Sequence, residues 1–183
     1  NDCQFSYRSS IFKKSLRNKF IITEVVLKLS KTNHKISKSY KSINDALNKK
    51  KIHNPTIKDI ARIVSKIREN KLPNPSLIGN SGSFFKNPIV SIELLNKLKQ
   101  KFSKLVYFKE SVSKYKLSAA WLIENCGFKN IEEKNVGVYK NQALVIINLG
   151  NATGKEILLF SKKIKATVLE KFDILLEEEV NII

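Results

Sequence analysis

The stretch "IGNSGSFFKNPIV", residues 78–90, decides how the rest of the chain is read. The whole sequence holds only 6 glycines, and this stretch uses two of them, Gly79 and Gly82. Asn80, Ser81 and Ser83 surround Gly82, and Phe84, Phe85, Lys86, Asn87 and Pro88 follow. Glycine has no Cβ, so its main chain can approach a flat ligand closely. Gly82 directly before Ser83 can press backbone against a ring and aim one hydroxyl at its edge. From the residues alone, Ser83 reads as an ordinary turn serine.

The pattern around this stretch is that of a mixed domain. Upstream, Ile57, Ile60, Ala61, Val64 and Ile67 recur at helical spacing behind Thr56, with Asp59 completing a capping box. Pro73 and Pro75 stop that helix near Asn70. Downstream, Ser91 caps a helix bearing Leu94, Leu95, Leu98 and Phe102, and Ser118 caps a short one that ends at Gly127. "VGVY" and "ALVIINLG" read as strands. Thr153 and Glu156 form a capping box for a long helix through Phe172, and "ILLEEEVNII" alternates as a last strand. Near the start, "FIITEVVLKL" at residues 20–29 is rich in β-branched residues and reads as a strand, with a short helical piece near residues 43–49. The expected class is α+β, a mixed or antiparallel sheet with packed helices, rather than strict βαβ winding.

Composition narrows the function. A chain of 183 residues is one large domain or two small ones. No apolar run is long enough to span a bilayer, so no membrane partner is expected. The first ten residues lack a signal-peptide layout, and the absence of methionine suggests a processed or truncated piece. Cys3 and Cys126 have no metal or redox spacing, and His34 and His53 are the only histidines, so no metal site is expected. The net charge of +18 first suggests a polyanion. Only 4 of the 34 basic residues are arginines, and the lysines are scattered through every segment, which argues against a base-reading surface.

"KLPNPSLIGNSGSFFKNPIV" closely resembles the signature of the UDP-N-acetylenolpyruvoylglucosamine reductase family. The likeness continues in order along nearly the whole chain. "YRSSIFK" resembles a Tyr-Arg-x-Ser element, "KLSAAWLIENCGFK" a Trp-centred helix, "VGVYKNQALVIINLGNATG" a two-strand segment and "LEEEVNII" a terminal Leu-Glu-Pro-Glu-Val. The resemblance implies a cytoplasmic oxidoreductase in which NADPH reduces FAD, and FAD reduces UDP-N-acetylglucosamine enolpyruvate in peptidoglycan precursor synthesis. It implies Ser83 as proton donor and Glu179 as catalytic glutamate, with Glu177 and Glu178 left as a solvated edge. It implies Tyr7, Lys71, Asn87, Tyr107 and Gln142 as substrate-binding residues. Gly82 and Arg68 would lie near the flavin. A monomer is expected. Residues 1–70 would close the FAD-binding region, 71–173 would form the substrate-binding domain, and 174–183 would be a returning tail strand.

The departures from the family pattern carry expectations of their own. No glycine-rich pyrophosphate-binding segment stands in the sequence, and "GNATG" reads as a turn into the long helix. None of the four arginines sits in the family's catalytic-arginine motif. Phe108 follows Tyr107 where proline is usual, Glu178 replaces a proline, and Asn181 stands where arginine is common. The chain is therefore expected to be an incomplete C-terminal part, inactive alone. The alternative is a module that binds a nucleotide sugar or another polyanion, nucleic acid included, without catalysis.

Overall fold

The computed structural model describes residues 2–6, 8–36 and 40–183. They fall in two compact units, Asn1–Ser37 and Lys38–Ile183. The first unit has one 3₁₀ turn, Ile11–Lys13. The Ile11 amide donates to the Cys3 carbonyl at 3.0 Å, and Phe12 and Phe20 meet edge to face at 6.4 Å between centroids. The strand expected at residues 20–29 does not form. Phe20, Ile21, Ile22, Val25, Val26, Leu27 and Leu29 are between 59% and 90% exposed. A strand is stable only when its backbone groups and one face find partners. The apolar pattern is present, but among the described residues no ladder takes it up.

The second unit begins with a helical hairpin. Helices α1 (Lys41–Lys49) and α2 (Ile57–Lys71) bury Ile43, Leu47 and Ile63, with Ile60, Val64 and Ile67 packed around them. The Thr56 hydroxyl accepts the Asp59 amide while the Asp59 carboxylate accepts the Thr56 amide, so the predicted capping box starts α2.

Strands β1 (Gly79–Ser83), β5 (Glu132–Glu133), β6 (Val136–Val138) and β7 (Val145–Asn148) form an antiparallel sheet in the order β1-β7-β6-β5. A second sheet, β2-β4-β3, consists of Ile89–Ser91, Lys114–Leu117 and Tyr107–Lys109. The sequence pattern does not place β3 and β4. They run over only three and four residues, YFK and KYKL, too short for periodicity to register.

Helices α3 (Ile92–Lys101), α4 (Ala119–Asn125) and α5 (Gly154–Phe172) complete the unit. All three start on the serine or threonine caps expected, and α5 has its full capping box. Hydrogen bonds from the Thr153 amide and hydroxyl hold the Glu156 carboxyl below its ordinary pKa. The main core joins Phe160, Ile164 and Val168 of α5 to Val136, Val138 and Ile146 of the first sheet and to Leu122 and Ile123 of α4. Phe102, Trp121 and Phe172 close one part of it, with centroids 4.9 to 6.0 Å apart. Asp173, in the left-handed region at φ 58°, ends α5 and turns the chain back. The tail then alternates as expected, with Ile174 and Leu176 buried and Leu175 exposed.

Two substitutions separate the packed residues from the unpartnered ones. Leu122→Ala leaves a cavity in the main core and is expected to cost about 2–5 kcal/mol in urea unfolding. Leu27→Ala should stay within about 0.5 kcal/mol. In hydrogen–deuterium exchange, amides 20–29 should exchange without protection while those of β6 and β7 are retained.

Candidate functional site

The site is built where β1, the β6–β7 turn and the tail meet. Gly82 has φ 72°, a left-handed conformation that favours glycine, and a Cβ placed there would meet nothing within 4 Å. The space beside Gly82 is therefore open. Ser83 follows, partly buried, and among the described residues its hydroxyl has no hydrogen-bond partner. Phe84 and Phe85 are buried, 5.2 Å apart edge to face, and fix the residues after Ser83 to the core.

Phe84 changes neighbours. Its amide donates to the Leu144 carbonyl at 2.8 Å, on the β7 side. Its carbonyl accepts the Glu179 amide, also at 2.8 Å, on the tail side. Phe85 bridges Glu178 in antiparallel fashion, and the Lys86 amide donates to the Glu177 carbonyl at 2.9 Å. The tail thus meets residues 84–86 through one isolated bridge and its two flanking hydrogen bonds rather than as the strand expected, and Glu179 lies one residue from Ser83 across that pairing.

Two ion pairs clamp the tail from opposite faces. Lys86 Nζ reaches Glu177 at 3.0 Å, and Lys165 Nζ reaches both oxygens of Glu178 at 2.8 and 3.0 Å. Glu177 is largely solvated, as expected, but the Glu178 side chain is only 22% exposed. This corrects the reading of Glu178 as a solvated edge: a lysine two helical turns before the end of α5 requires a carboxylate there. Burial pushes the Glu178 carboxyl up, but the Lys165 hydrogen bond, a backbone amide and the charges of Lys165 and Lys162 outweigh it and hold its pKa below the ordinary value.

The other expected site residues divide. The β6–β7 turn carries Gln142, whose Oε1 makes only a long 3.5 Å contact with the Leu144 amide. From the same turn, Asn141 Nδ2 donates to the Asn70 carbonyl at 2.9 Å and ties the end of α2 to the site. Arg68 and Lys71 flank Asn70, three residues apart on one helical face, exposed and without side-chain partners among the described residues. Asn87 has its Oδ1 occupied by the Ala119 amide at 2.9 Å, at the start of α4. Tyr107 stands apart on the outer strand of the second sheet, against Tyr115 at 6.1 Å and beneath Lys99 Nζ at 5.2 Å. Tyr7 lies outside the described residues. "GNATG" is the expected turn: Asn148 Oδ1 accepts the Gly150 and Ala152 amides ahead of α5. Sequence reasoning misses Asn141 and the Lys165–Glu178 pair. Neither carries a local signal, because both depend on partners far along the chain.

The family model for UDP-N-acetylenolpyruvoylglucosamine reductase, C-terminal domain, matches residues 74–183. The chain belongs to this family. A Flavobacterium johnsoniae UDP-N-acetylenolpyruvoylglucosamine reductase is 49% identical over 182 residues, covering 100% of this chain and 54% of the relative. The Amoebophilus asiaticus protein of the same name is 44% identical, covering 99% of this chain and 53% of its own. The chain spans about half the length of these relatives. The solved Thermus caldophilus enzyme is 20% identical with a TM-score of 0.41, over 68% of this chain and 33% of that one. Among the described residues no helix is long and apolar enough to cross a membrane.

The clamp has a pH dependence of definite sign. With its folded pKa below the ordinary glutamate value of 4.5, Glu178 contributes stability above that value and loses it as pH falls through the folded pKa. Lys165→Met should speed exchange of the Glu179 and Lys86 amides at pH 7. Acidification of the unaltered chain through the folded pKa of Glu178 should do the same. Exchange at those two amides that is unchanged by the substitution would show that the ion pair does not hold the tail.

Proposed function

We propose that this chain forms the substrate-reducing part of a UDP-N-acetylenolpyruvoylglucosamine reductase, acting on UDP-N-acetylglucosamine enolpyruvate in peptidoglycan precursor synthesis in the cytoplasm. One observation carries the reading: the Glu179 amide bonds to the carbonyl of Phe84, directly after Ser83, and this backbone contact between the tail and the residues that follow Ser83 supports a serine and a carboxylate acting together. No atom lies within 4 Å of where a Cβ of Gly82 would stand, so backbone there can approach a flat ring, which supports FAD as the group held there, and Arg68 is kept as a second residue toward it. When bound and supplied with electrons by NADPH, FAD provides hydride to the enolpyruvyl double bond.

The residues of this chain have the complementary task. Hydride arriving at C3 leaves an electron pair at C2, delocalised into the adjacent carboxylate. The Ser83 hydroxyl, uncommitted to any described residue, donates its proton to C2 and regains one from water. A bare glutamate beside that carboxylate would repel it. Glu179 therefore serves by holding a proton between its own carboxyl and the substrate's oxygens. Lys71, with Arg68 one turn earlier, offers mobile positive charge to the diphosphate of UDP, and Gln142 offers its amide to the substrate. Tyr7, outside the described residues, is kept as the tyrosine that the resemblance assigns to the diphosphate. Asn87 acts indirectly, by fixing α4 against the site, and Tyr107 contributes at most from the periphery. The FAD pyrophosphate and the substrate carboxylate would be held by the part of the relatives that lies outside this chain. Residues 1–70 would adjoin that part, 71–173 would bind substrate, and 174–183 would return the tail to the site.

In the complete reductase, Ser83→Ala should lower kcat by about 10²–10⁴ while NADPH still bleaches the flavin at its normal rate. Turnover within about threefold of the unaltered enzyme would refute Ser83 as the proton donor. The 183-residue chain purified alone should be colourless. A yellow protein with one flavin per chain would contradict the division of labour.

A further inference from the structure

We propose that Asn80 is a positioning residue that aims Ser83, by clasping the one-residue bulge that turns the serine away from the core. Asn80 pairs with Ile147 and Ser83 with Val145, so three steps along β1 match two along β7. Ser81 and Gly82 together stand opposite Ile146. Side chains alternate faces along a strand, and directly opposed residues share a face. Val136, Val138 and Ile146 point into the main core, whereas Val145 and Ile147 are buried outside that cluster. Ser83, opposite Val145, therefore emerges on the face away from the main core.

Without the extra residue, position 83 would stand opposite Leu144, and its side chain would point to the core face. A one-residue slip reverses every side chain beyond it. The bulge thus decides which face of the sheet receives the hydroxyl.

Something has to hold the bulge against that slip. Gly82 makes it permissible through its left-handed φ, but permission is not a restraint. Asn80 supplies the restraint from both sides. Its Oδ1 accepts the Gly82 amide at 3.0 Å, and its Nδ2 donates to the Ile78 carbonyl at 2.8 Å. Both bonds are part-buried, and they close a loop over Ser81. The asparagine in "NSG" is an Asx-turn residue used inside a strand. The inference rests on the reading of Ser83 as proton donor only for its catalytic consequence; the aiming itself is structural.

The test attaches a reporter to position 83. Ser83→Cys is made in the full chain, and alkylation of the introduced thiol by iodoacetamide is followed by peptide mapping, alone and combined with Asn80→Ala. Circular dichroism and the urea midpoint establish that each variant is folded. Asn80→Ala should slow labelling at position 83 by about tenfold or more as the thiol turns toward the core. Asn80→Asp keeps the acceptor for the Gly82 amide and should stay within about threefold of the parent, which also serves if the alanine variant does not fold. Labelling unaffected by Asn80→Ala in folded protein, or an aspartate variant as impaired as the alanine one, would overturn the clasp. In the complete reductase, Asn80→Ala should lower kcat about tenfold or more with KM within about threefold, and Asn80→Asp should restore most of it. Slowed labelling with unchanged kcat would uphold the clasp and overturn instead the catalytic reading of Ser83.

Discussion

Everything in the site depends on how the backbone of Phe84 is shared. In a regular antiparallel strand the N–H and C=O of one residue face the same neighbour. At Phe84 they face different ones, Leu144 on one side and Glu179 on the other. That divided pairing sets the returning tail beside residues 84–86, directly after β1. The buried rings of Phe84 and Phe85 hold the exchange point in the core. Two phenylalanines after a glycine and a serine thus have a mechanical role: the aromatics anchor the strand so that the residues before them can be irregular.

The irregularity is then put to use. A left-handed glycine and a bulge would destabilise an unanchored strand, because neither adds burial and both interrupt the ladder. Between the aromatic anchor and the Asn80 hydrogen bonds they are tolerated, and they present a hydroxyl with no internal partner among the described residues. Opposite it, the acidic triplet is sorted by its neighbours. Glu177 goes to Lys86 and Glu178 to Lys165, and the two pairs fix the register of the tail against residues 84–86. The tail carries three carboxylates in a row, and those of Glu177 and Glu178 each meet a lysine.

Much of this fold is legible in the amino-acid sequence, and the reason is locality. Thr56–Asp59, Ser91, Ser118 and Thr153–Glu156 announce helix starts because capping is settled within four residues. Gly127, at φ 83° just past α4, announces a stop in the same way. Ser83 and Glu179 are legible only through the family resemblance, since no local pattern joins positions almost a hundred apart. The features that the sequence hides are those that need a partner elsewhere. The apolar run at residues 20–29 has the right side chains for a strand and no strand beside it among the described residues. Glu178 reads as solvated until Lys165 stands next to it, and Asn87 reads as open to a ligand until the first amide of α4 claims its oxygen.

The tail amide of Glu179 is bonded to the carbonyl of Phe84, and the scalar coupling across that hydrogen bond reads this directly. In the labelled chain at neutral pH, a correlation between the Glu179 nitrogen and the Phe84 carbonyl carbon should be observed, together with slow exchange of that amide. Its absence, with the Glu179 amide exchanging as freely as an unfolded one, would mean that the tail does not return to the serine and that no shared site exists.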